Sequence, residues 1–161
     1  MNGDSPIEIV LNPPPLGDSF AISPDGSWVI YQYFYYPEKT DEIIAAGTYL
    51  GSLQEGSSHL IASASFLNAN SNFFKWSPDS AHVVLKVEFT HLYLSDSKGL
   101  VTPIADGRFI GWVDNNRYLY FDGSVLMGEI GKEENVRVIQ FPSGVTPDDF
   151  TFVFPGSKAV R

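Results

Sequence analysis

One twelve-residue pattern occurs three times, and it limits what this chain can fold into. Residues 20–31 read FAISPDGSWVIY, residues 74–85 FKWSPDSAHVVL, and residues 110–121 IGWVDNNRYLYF. Each copy opens on an apolar residue (Phe20, Phe74, Ile110) and places a large apolar residue two positions on (Ile22, Trp76, Trp112). A four-residue turn follows, then an apolar run: 29–31, 83–85, 119–121. The pattern is strand, tight turn, strand. In Ser23-Pro24-Asp25-Gly26 the proline presets φ for a type I turn, Asp25 can bond locally, and Gly26 can take a positive φ. Such a turn is a common hairpin connection. Ser80 replaces the glycine in the second copy. Asn115-Asn116 occupies the third, where asparagine tolerates the left-handed region. Recurrence of Asp25, Asp79 and Asn115 with the repeat points to a structural turn role.

The rest of the chain fits around these copies as short strands. A strand is expected at 7–11, stopped by Pro13-Pro14-Pro15. The first unit continues with strands at 28–36, 48–53 and 59–62, and a polar loop at 37–46. The second has strands at 73–77, 82–88, 91–95 and 100–104, the third at 108–113, 117–121, 125–130 and 136–141. A polar crossover at 63–72 and Asp106-Gly107 separate the units. Residues 150–154 alternate as a further strand, the start of a fourth repeat or a closing strand. Glycine and proline punctuate the chain about every ten residues, which breaks helical runs. The fold class is all-β.

Four strands per unit at a period near ~40 residues is the signature of a β-propeller blade. The ISPDG and WSPDS turns, each followed by an apolar run, and the later YLSDSKG resemble TolB-like propeller repeats, which also occur in the propeller domains of prolyl oligopeptidase and dipeptidyl peptidase relatives. The resemblance covers about residues 17–141. It departs at Val113-Asp114-Asn115-Asn116, and no Trp-Asp pair closes a third strand as in WD repeats. It implies a single domain over 1–161: blade 1 about 17–63, blade 2 about 72–105, blade 3 about 108–141, and a terminal piece at 145–161. Propellers close with about 4–8 blades, so three make an incomplete ring. The open ends then need a cap or a partner. The expected solutions are a longer parent protein, two chains forming a six-bladed ring, or flanking strands, including 7–11, that complete a blade.

At 161 residues, 43% of them hydrophobic and 14% aromatic, the chain can bury the core of one domain. Its net charge of −9 argues against nucleic acid and against an anionic membrane surface. It has no cysteine, which removes disulfides and thiolate chemistry. No apolar run approaches the ~20 residues of a membrane span, so no membrane insertion is expected. The opening MNGDSPIEIV has no basic or apolar signal region; a trimmed leader stays compatible with it, and the compartment is open.

Chemistry is sparse. The sequence lacks a G-x-S-x-G elbow, a P-loop, G-x-G-x-x-G, H-E-x-x-H and an EF-hand loop. No catalytic residue, metal ligand or cofactor is assigned. His59, His82 and His91 have no zinc-ligand spacing and read as strand histidines. Asp148-Asp149 with Asp122 or Asp106 could offer oxygens to calcium, but turn aspartates arise for local reasons. Trp76 and Trp112 are assigned to packing between blades. In the run 31–36, alternation puts Tyr31, Tyr33 and Tyr35 on one strand face. With Glu38 and Asp41 from the following loop they form the expected interaction surface, since tyrosine is favoured in binding patches. The expected function is a non-catalytic interaction or scaffold module that binds protein partners, including a second copy that closes the ring. The alternatives are part of the propeller gating a prolyl oligopeptidase-type serine peptidase, with the catalytic domain elsewhere, and a small-ligand or sugar-binding propeller.

Overall fold

A computed structural model describes residues 9–12, 20–35, 44–63, 74–87 and 90–141. Of the loop expected at 37–46, residues 37–43 lie outside them and 44–46 are strand instead. Of the crossover expected at 63–72, Ser63 ends a strand and the rest lies outside, as do the strand at 150–154 and Asp148-Asp149.

The described residues form twelve strands in three four-stranded antiparallel sheets, with no helix among them. Sheet one holds β1 (Phe20–Ile22), β2 (Trp28–Tyr35), β3 (Ile44–Ser52) and β4 (Ser57–Ser63) in chain order. Sheet two holds β5 (Phe74–Trp76), β6 (His82–Val87), β7 (His91–Asp96) and β8 (Val101–Asp106). Sheet three holds β9 (Arg108–Trp112), β10 (Arg117–Phe121), β11 (Val125–Glu129) and β12 (Val136–Ile139). The all-β expectation holds, and the sheets have the form of propeller blades that do not close on themselves. The third and fourth strands of every sheet slip register at one point: Thr48/Tyr49, Leu92/Tyr93 and Val125/Leu126. The repeat therefore extends to its bulges.

The repeated turn works by side-chain capping. Ser23 Oγ donates to Asp25 Oδ1 at 2.6 Å and accepts from the Trp28 N–H at 2.9 Å. Ser77 repeats this with Asp79 at 2.6 Å and the His82 N–H at 3.0 Å. Gly26 has φ 73° and Ser80 φ 65°, so the serine bears the left-handed backbone that glycine takes freely. The third turn differs from expectation. Neither Asn115 nor Asn116 has a positive φ. Val113 supplies no hydroxyl, and Asp114 replaces it by accepting from the N–H groups of Asn116 and Arg117 at 3.0 and 2.8 Å. The turn is one residue shorter, so the acid that works sits one position before the aligned one.

The core lies between sheets rather than within one. Successive β6 residues point to opposite faces, and both faces are buried: Val83, Val84 and Leu85 are at most 1% exposed. Val83 and Leu85 pack with Ile30 and Leu50 of sheet one, while Val84 packs with Phe109, Tyr118 and Tyr120 of sheet three. The middle sheet thus serves two junctions. Gly107, which links sheet two to sheet three, has φ 135°, and a Cβ there would strike the Phe121 carbonyl.

Residues 9–12 are not a strand, contrary to expectation. They lie over the outward face of sheet one. Leu11 is buried and packs with Val29 and Tyr31; a Cβ on Gly51 would come 3.1 Å from its Cδ2. Tyr31 donates to Ser58 Oγ at 2.9 Å, and that hydroxyl donates to the Asn12 carbonyl at 2.7 Å.

Candidate interaction surface

Of the residues expected to form a binding patch, the side chains of Tyr31 and Tyr33 are described, and both meet Tyr49. Tyr31 is fully buried: its ring stacks on Tyr49 with centroids 5.7 Å apart. Burial pushes its hydroxyl above the ordinary value, against the opposing pull of its Ser58 hydrogen bond. It is a packing residue, and this corrects its place in an exposed surface. The reason is Leu11, which covers the face where alternation put it. Tyr33 is half-buried and meets Tyr49 edge-on at 6.3 Å. β2 slips register against β3 between Tyr33 and Phe34, so simple alternation stops before Tyr35. The side chain of Tyr35, and Glu38 and Asp41 altogether, lie outside the described residues.

The same sheet face exposes two residues that alternation did not single out. Phe20 pairs with Tyr31 and Ile22 with Val29, so both point away from sheet two. They are 51% and 53% exposed. Their repeat counterparts are covered: Phe74 is 8% exposed and packs into the junction with sheet one, and Trp76 packs beside it. The residue at position one is identical; among the described residues no sheet lies against this face of sheet one.

A concavity of about 470 Å³ opens between sheets two and three. Leu94, Pro103, Ile104 and Ile130 give it apolar walls, with Tyr118 at the same site. Burial, with a smaller effect of Tyr120, pushes the Tyr118 hydroxyl up to about 12, so it stays a protonated donor at neutral pH. Its ring lies against Gly128, where any side chain would collide with it. Glu133 stands at this groove's border.

His91 Nδ1 and Asp106 Oδ1 are 2.5 Å apart at the opposite end of sheet two, and both side chains are exposed. Among the described residues no group of three or more His, Cys, Asp or Glu is placed to hold a metal ion. His59 flanks the β7–β8 hairpin, where a Cβ on Gly99 would strike its ring.

No family model, curated protein or solved structure matches this chain.

Proposed function

We propose that this chain is a non-catalytic scaffold of propeller-like blades that associates with protein through the outward face of its first blade. The observation that carries the reading is the contrast at one repeat position: Phe20 is 51% exposed where Phe74 is 8% exposed. A face built like a blade junction suits another blade, and a second copy of the chain is the partner that supplies one. Two copies of three blades would make a six-bladed ring, and the recurrent Ser-Pro-Asp turn supports a place among TolB-like repeats. Ile22 stands where Trp76 and Trp112 each donate an indole N–H to the preceding sheet. Association there relies on apolar burial without that hydrogen bond.

Light scattering across a concentration series tests the reading. The expected result is a mass approaching twice 17.8 kDa as concentration rises. Burying what remains exposed of Phe20 and Ile22 is worth on the order of 1 kcal/mol each. The Phe20→Asp, Ile22→Asp double variant should therefore raise the association midpoint at least about tenfold with the fold retained. A folded chain that stays monomeric throughout the series would overturn self-association.

A further inference from the structure

Among the described residues each sheet has two edge strands, and the fourth strands, β4, β8 and β12, form one of the two sets. Edge strands template pairing unless something blunts them. β8 carries Pro103, which has no N–H to offer. β4 exposes Leu60 in a sequence, Ser-Ser-His-Leu-Ile-Ala-Ser, of otherwise small or polar exposed residues. β12 is different. Its sequence is Val-Arg-Val-Ile, all four residues are exposed, and Val136, Val138 and Ile139 are 57%, 49% and 40% exposed. β11 is its sole ladder partner among the described residues.

The charges are uneven along β12: Arg137 within it keeps its positive charge against the neutral Gln140, while Glu133 and Glu134 ahead of it are acidic. Lys132 is paired to Glu129 at 2.8 Å, and Arg137 reaches Gln140 at 3.3 Å. Glu133 and Glu134, which lead into β12, are exposed and make no ion pair among the described residues. Glu133 also borders the apolar groove between sheets two and three. A segment laid along β12 thus has a row of backbone groups, apolar side chains on the strand, and two carboxylates at one end.

We infer that β12 is a docking edge for an extended segment of a partner protein, one with alternating apolar residues and a basic residue that meets Glu133 and Glu134. The backbone ladder supplies affinity and the side chains supply selectivity, as in strand addition generally. A second copy is the poorer occupant: it presents the same acidic pair and a net charge of −9. This inference is independent of association through Phe20 and Ile22, which lie on another sheet.

The probe is a synthetic ten-residue peptide of alternating valine and threonine with two lysines at one end. It is titrated against the whole chain by calorimetry. Two further peptides are compared: one N-methylated at alternate residues, which lose ladder donors, and one with glutamate for lysine. The expected result is saturable binding, weakened at least about tenfold by N-methylation and by the glutamate exchange. The Glu133→Lys, Glu134→Lys variant should reverse the charge preference, and exposed positions leave the fold intact by circular dichroism. No binding up to about 1 mM, or binding indifferent to N-methylation, would sink the inference. Peptide binding lost in Phe20→Asp but not in Glu133→Lys, Glu134→Lys would assign the peptide to the first blade's face instead.

Discussion

The indole N–H of Trp112 donates to the backbone carbonyl of Lys75 at 3.0 Å, spanning the junction between the second and third sheets. Trp76 makes the same bond, at the same 3.0 Å, to Ala21 of the first sheet. Each acceptor lies one residue before the tryptophan position of its own repeat. One contact is therefore copied with the repeat, and it fixes how far apart successive inner strands sit. Replacing either tryptophan by phenylalanine keeps most of the packing and removes the donor. Each variant is expected to lose about 1 kcal/mol in urea unfolding, and the two losses should be similar. Alanine at Trp76 should cost about 3–5 kcal/mol because it also empties the junction core.

The repeated turns predict acid sensitivity. The Ser23 hydroxyl and the Ser27 backbone N–H hold Asp25 down to about 2, against an ordinary 3.8. At Asp114 the Arg117 side chain and the Asn116 N–H lower the carboxyl. At Asp79 burial pushes up, but the Ser77 hydroxyl and the Ala81 N–H together outweigh it and the net shift is downward. A depressed carboxyl means the unfolded chain binds more protons, so stability is complete above about pH 4 and falls as pH drops through the folded value. Thermal melts from pH 6 to pH 2 should show this decline. Asp25→Asn should flatten part of it; an unchanged slope in that variant would contradict the assignment.

Gln32 and Thr48 pair across β2 and β3 and are 1% and 0% exposed. Among the described residues, neither polar end of the Gln32 amide nor the Thr48 hydroxyl has a hydrogen-bond partner. Both lie in the row that continues Ile30 and Leu50 into the first junction. A buried polar group left unbonded costs about 1–3 kcal/mol. The Gln32→Leu, Thr48→Val double variant should therefore unfold at higher denaturant. A loss of stability instead would show that this amide and hydroxyl are bonded in solution.

Gly107 admits no side chain. It combines a φ of 135° with the Phe121 carbonyl directly where a Cβ would stand. Backbone cannot yield as a flexible side chain can, so Gly107→Ala should cost on the order of 2–4 kcal/mol. Gly26→Ala is the contrasting test, since nothing lies within 4 Å of a Cβ there. It bears only the left-handed strain that Ser80 already sustains, about 1 kcal/mol.

The sequence alone determined the sheets. Alternation, turn chemistry and a threefold repeat are local properties, and they place eleven of the twelve strands within two residues at both ends; β3 begins four residues earlier than expected, at Ile44. They also assign Trp76 and Trp112 to the junctions. Residues 9–12 and Tyr31 were decided by tertiary structure, because a segment that makes no ladder has no period to read. Leu11 crosses sheet one and buries the tyrosine that alternation had offered to solvent. The exposure of Phe20 is likewise a matter of neighbours: the same residue type at the same repeat position is covered in Phe74. Period fixes which residues share a face. What lies against that face depends on chain far away in sequence, and that is the part no local pattern carries.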